Sequence, residues 1–192
     1  MDHLDKQMQQ WSSRLRDDLK ILTPASLQLA TTISQEVAGL SPESKRRVRD
    51  ASPIPLAVRL EELQAFQGWM DLVNNTGHPH PAVVRAQVIT QNYICFVYLT
   101  EACFKVLKIE VQAGTTTKRC CKYLTDNPVR AFRNAVAHSN WRYLQDFSGL
   151  EFWAKKGDDP TEKPTRFEVT QQELAFWQSL ARCTAYAAYL SL

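Results

Sequence analysis

The sequence predicts a mostly α protein with one small β-hairpin before its last helix. Three observations lead there. Apolar residues recur at spacings of three and four through most of the 192 positions. Cap residues followed by proline divide that pattern into separate helices. Residues 149–170 break it with two short aromatic-rich runs, separated by a loop of Gly, Asp and Pro that is too long for a tight turn.

The elements follow from the amino end. From about residue 3 to 21, Leu4, Met8, Trp11, Leu15 and Leu19, continued by Leu22, form an amphipathic stripe. Thr23-Pro24 starts a second helix that stops near Gly39. Ser41-Pro42-Glu43 starts a short basic segment, KRRVR, and the prolines at 53 and 55 then forbid a continuous helix. Leu56, Leu60, Leu63, Phe66, Trp69 and Val73 give the next helical period. A long apolar helix is expected from about 81 to 109, and a short one at KRCCKYL. TDNPVRAFRNAVAH predicts a helix with Asp126 or Asn127 as cap and Pro128 at its first position. Thr170 and Glu173 make a capping box, after which Leu174, Trp177, Leu180, Thr184 and Ala188 face inward. The pattern divides into an N-terminal helical extension, 1–50, packed on a main helical domain, 51–192.

Composition excludes several classes. A hydrophobic fraction of 44% with 22% charged residues fits a globular domain able to bury its own core. The net charge of +3 is mild, but its distribution is uneven. From 118 to 143, six basic residues (Lys118, Arg119, Lys122, Arg130, Arg133, Arg142) face Asp126 alone, a local surplus of +5. The five cysteines form no CxxC pair and read as small core residues in a reducing compartment. MDHLDKQMQQ has no apolar run, which predicts no secretory leader and a cytoplasmic setting. VITQNYICFVYLTEACFKVL is interrupted by Thr, Gln, Asn, Glu and Lys, so it reads as a buried helix and not a membrane span. His78-Pro-His80 lacks a third ligand at metal spacing. No phosphate-loop, dinucleotide, zinc-protease or nucleophile-elbow motif is present.

The stretch left to explain is RAFRNAVAHSNWRY, 130–143. At about 100° per residue, Val129, Phe132 and Val136 share an inward face, and Asn134 and His138 stack on another. Arg133 and His138 lie about 140° apart, so the helix alone does not bring them side by side. An arginine is long enough to lean around, and Ala135 and Ala137 leave room for a second helix or a second copy of this one.

Arg133-Asn134-Ala-Val-Ala-His138 resembles the signature of the HEPN superfamily, an arginine followed by a polar residue and, after a short gap, a histidine. The likeness covers roughly 56–192; the N-terminal helices and the hairpin lie outside the family's minimal four-helix pattern. It implies a HEPN-like helical bundle and a metal-independent endoribonuclease, with no cofactor, in which a homodimer brings two motifs to one cleft. Arg133 and His138 would carry the chemistry, supported by Asn134. Histidine suits proton transfer near neutral pH, and an arginine fork suits the developing charge on a phosphoryl group. The expected products are a 2′,3′-cyclic phosphate and a 5′-hydroxyl. Lys118, Arg119, Lys122, Arg130 and Arg142 would track the RNA backbone. Trp141 and Tyr143 would stack unpaired bases, or else pack into the core. The resemblance also implies a toxin or phage-defence setting, with an antitoxin or regulatory protein as a further partner. Family members paired with nucleotidyltransferase antitoxins often carry a tyrosine two residues after the histidine; Asn140 stands there, against that form of regulation. The alternative reading is a non-catalytic HEPN-fold module that binds RNA or a nucleotide.

Overall fold

The chain was described from a computed structural model covering residues 24–75, 81–146, 148–154 and 163–192. Side chains at 24, 66–75, 81, 83–85, 87 and 88 lie outside the description. The stripe expected at 3–21, together with His78 and His80, also falls outside it.

Helix α1, Pro24–Ala38, and helix α2, Pro42–Arg49, begin at the expected prolines, and the Ser41 hydroxyl caps α2 by accepting from the Ser44 amide. Helix α3 spans Leu56–Asn75, with Leu63 buried and Leu56 and Leu60 half-buried. Ile33, Val37 and Val48 share one hydrophobic core with the residues that follow.

The long apolar helix departs from expectation in its winding. Helix α4, Pro81–Asn92, continues into two π-helical segments, π1, Tyr93–Tyr98, and π2, Thr100–Phe104, before helix α5, Lys105–Glu110. The Leu99 and Lys105 amides donate to Ile94 and Thr100, five residues back. Thr100 contributes a reason. Its hydroxyl donates to the Phe96 carbonyl at 2.7 Å, the acceptor an α-helix would give to the Thr100 amide.

Helix α6, Thr116–Thr125, is capped twice. Thr115 accepts from the Lys118 amide, and Glu36 of α1 accepts from the amides of Thr116 and Thr117 at 2.9 and 2.7 Å. Helix α7 spans Val129–Ala137. Strands β1, Trp141–Tyr143, β2, Gly149–Ala154, and β3, Thr165–Thr170, form an antiparallel sheet in the order β1-β2-β3. The expected hairpin is therefore joined by a third strand, which at three residues is too short to show a twofold period in sequence. Gly149 faces Thr170, and a Cβ there would run into the Val169 carbonyl oxygen. Helix α8, Gln171–Leu190, starts at the expected capping box, and its five expected inward residues are buried.

Phe132 of α7 joins these layers. Its ring meets Phe96 of π1 at 5.3 Å, Phe152 of β2 at 5.1 Å and Trp177 of α8 at 5.8 Å between centroids. Phe132→Ala should lower stability to urea by about 3–5 kcal/mol. A loss under about 1 kcal/mol, in the range of surface substitutions, would contradict its role as the joint of the core.

Candidate functional site

Helix α7 sorts its nine residues by face. Val129, Ala131, Phe132 and Ala135 are buried, Arg133 and Asn134 are half-buried, and Arg130 is exposed. The expected start shifts by one residue. Pro128 is the cap, no side chain caps the helix, and the first turn is closed by the Arg130 amide donating to the Asp126 carbonyl at 2.8 Å. Ala135 serves the chain's own packing, since it is fully buried in the hydrophobic core, on the helix that packs against π1. The room it was expected to leave for a second copy is taken; Ala137 remains exposed.

Arg133 is held on two sides. Its Nε and one terminal nitrogen donate to Asn134 Oδ1 at 3.1 and 2.8 Å. The other terminal nitrogen donates to Glu101 Oε1 at 2.9 Å. Among the described residues three of the five guanidinium N–H groups are thus committed, and each terminal nitrogen keeps one. Glu101 also accepts from Lys105 at 2.6 and 2.8 Å. One carboxylate between two cations leaves the cluster with a net positive charge.

Glu101 lies in the π2 segment. Thr100 and Ala102 on either side of it are buried, while Glu101 projects outward on the rod that packs against α7. Sequence reasoning missed Glu101 and Lys105. The signal was present as an acid and a base four residues apart inside an otherwise apolar helix, read there only as an interruption of a membrane-like run.

His138 lies just past α7 as its C-cap residue, exposed, with its amide donating to the Asn134 carbonyl at 3.1 Å. Ser139 then takes a left-handed φ of 57°. The Ser139 amide bonds Val136 at 3.3 Å and the Asn140 amide bonds Ala135 at 2.8 Å, the two bonds of a Schellman stop. Asn134 therefore touches both partners, Arg133 through its side chain and His138 through its backbone. No hydrogen bond or ion pair joins the His138 side chain to Arg133 or Asn134 among the described residues.

The other expected contact residues divide. Lys122 and Arg130 are exposed, and Lys118 and Arg119 half-buried, with Lys118 Nζ donating to the Val111 carbonyl at 3.3 Å. Trp141 and Tyr143 are half-buried, meet edge to face at 5.6 Å and pack on the core. Arg142 is committed elsewhere. It sits opposite Glu151 across the β1–β2 pair and donates to it from Nε at 2.6 Å, while Arg166 holds the other carboxylate oxygen at 2.7 Å. Cys120 and Cys121 are buried. Burial pushes the Cys120 thiol up to about 12 and Cys121 well above its usual 9.0, so neither is an activated nucleophile. Among the described residues no cluster of His, Cys, Asp and Glu is arranged to hold a metal, and no helix is long and apolar enough to cross a membrane.

Compared with known proteins, the chain matches no family model, no curated sequence and no solved structure.

Glu151 makes the sheet beside the site acid-sensitive. Hydrogen bonds from Arg166 and then Arg142 hold its carboxyl below the ordinary 4.5. A depressed folded pKa gives stability that is complete above 4.5 and lost as pH falls through the lower folded value. Thermal unfolding followed from neutral pH down to about pH 3 should show that loss, and Glu151→Gln should flatten it. An identical acid profile in the variant would contradict the assignment.

Proposed function

We propose that the chain is an endoribonuclease of the HEPN type, acting without a metal as a homodimer and cleaving RNA by attack of its own 2′-hydroxyl. The observation that carries the proposal is the state of Arg133: oriented by Glu101 and Asn134, yet with one N–H on each terminal nitrogen that has no partner among the described residues. Those two donors suit the paired oxygens of a phosphate as charge develops on them. Glu101 acts as a positioning residue, since it touches the arginine and not the substrate. His138 supplies the proton acceptor or donor that the reaction needs near neutral pH, from an exposed position at the end of the same helix.

Two further features support the reading. Lys122 and Arg130 stay exposed and make no ion pair among the described residues, as a phosphate track requires. Ile89 and Tyr93, four residues apart on the rod that packs against α7, are 43% and 53% exposed. They offer a second copy an exposed apolar surface on that rod. A strict monomer in light scattering would remove the composite cleft from the proposal.

Cleavage of single-stranded RNA in EDTA tests it. Arg133→Ala should cost at least about 10²-fold in rate and His138→Ala about 10²–10⁴-fold, with helical circular dichroism unchanged. Glu101→Gln keeps an acceptor but removes the charge, and should cost about tenfold. Equal rates in wild type and His138→Ala would sink the assignment. Absence of cleavage by a folded dimer would favour the non-catalytic RNA- or nucleotide-binding module.

A further inference from the structure

We infer that one face of α2, formed by Lys45, Arg46 and Arg49, binds the phosphate backbone of single-stranded RNA at the border of the Arg133 site. The choice of ligand rests on the ribonuclease reading above.

At about 100° per residue, Lys45, Arg46 and Arg49 fall within an arc of about 100° on this eight-residue helix. Val48, about 60° around the axis from Lys45, is fully buried; Lys45 beside it is half-buried, and Arg46 and Arg49 are exposed. Glu43 and Arg47 lie toward the opposite side, where Arg47 pairs with Glu43 at 3.6 Å and with Glu110 at 2.9 Å. Glu43 and Glu110 are therefore spent on Arg47. Lys45, Arg46 and Arg49 make no ion pair among the described residues, and Asp50, the C-cap at the edge of their face, pairs with none of them. Their spacings of three and four set like charges next to each other, a small cost that a bound polyanion removes.

A basic last turn is common on any helix, because the dipole favours it. Where this one docks sets it apart. Arg59 of α3 is 2% exposed and meets no carboxylate among the described residues. One terminal nitrogen donates to the Arg49 carbonyl at 2.7 Å, and the other faces the Ala102 carbonyl at 3.4 Å. Its guanidinium lies 4.8 Å from the centre of the Tyr189 ring. A single buried side chain thus ties the last residue of α2 to the residue after Glu101, and Glu101 holds Arg133. The basic face and the candidate site are anchored on neighbouring residues of π2.

The chemistry of the face favours a polyanion over a lipid surface. A helix that lies on a membrane needs an exposed apolar side, and the one large apolar residue of α2, Val48, is buried. Contacts from lysine and arginine to phosphates position a strand without reading its bases, so the face adds affinity and not sequence preference.

The test uses His138→Ala as the parent, so that RNA is bound and not cut, and a fluorescent single-stranded RNA oligonucleotide followed by anisotropy between about 50 and 200 mM salt. Adding Lys45→Gln, Arg46→Gln and Arg49→Gln together should lower the slope of log K against log salt by about 2, as three lost phosphate contacts require on single strands. Arg47→Gln should leave the slope unchanged. Cleavage by the wild type, measured in parallel, separates the two claims. Equal slopes alongside cleavage overturn the α2 face alone, and a reduced slope without cleavage supports the face while removing the ribonuclease reading. A parent that binds no RNA overturns both. Vesicles of phosphatidylserine and phosphatidylcholine serve as the rival probe. If the parent binds them and not the RNA, and the triple variant does not, the face belongs to a membrane and the inference falls.

Discussion

The packing of the Phe132 ring is the constraint on which the rest depends. It touches Phe96, Phe152 and Trp177, so π1, β2 and α8 all meet on one side chain of α7. With that ring fixed, the roll of α7 about its axis is fixed as well, which leaves Arg133 on the flank of the helix from which it reaches Glu101. The helix then has little length to spare. Its stop at His138 and the left-handed Ser139 turn the chain into β1, whose start is tied to β2 by the Trp153 amide donating to the Asn140 carbonyl at 3.0 Å. The exposed position of His138 follows from where the sheet must begin.

The Glu101–Arg133 contact has a different character. The Glu101 side chain is 57% exposed, and a pair that open to water contributes about 0–1 kcal/mol to stability. Its consequence is geometric. Together with Asn134 it restricts the rotational freedom of a long side chain while leaving one N–H on each terminal nitrogen without a partner among the described residues. A fold that wanted only stability at this position had buried apolar packing available on the same helix, as Phe132 shows. The Arg59 clamp is built the opposite way, with a buried cation taking carbonyls and an aromatic face in place of a carboxylate.

Much of this was legible from residues alone. Caps and prolines located α1, α2 and α8 because those signals are local, and inward faces followed from helical period at Leu174, Trp177 and Leu180. Arg133, Asn134 and His138 stood out because small apolar residues separate them. Glu101 did not, because its partner lies 32 residues away and only the packed fold brings the two together. The pairing of Arg142 was not foreseen for a related reason: its partner Glu151 becomes a neighbour only through the register of a strand three residues long. Ala135 illustrates the same limit, since a small residue on a helix does not say which neighbour it admits.

The chemistry assigned to Arg133 and His138 is most directly tested by the ends of the RNA it produces. Purified wild-type chain, incubated with single-stranded RNA in EDTA, should yield fragments carrying 2′,3′-cyclic phosphate and 5′-hydroxyl termini, resolved by mass spectrometry. That outcome requires attack by the substrate's own hydroxyl, as an arginine–histidine site without an activated water provides. Fragments ending in 3′-hydroxyl and 5′-phosphate would show water or another nucleophile at the phosphorus, and would contradict the account.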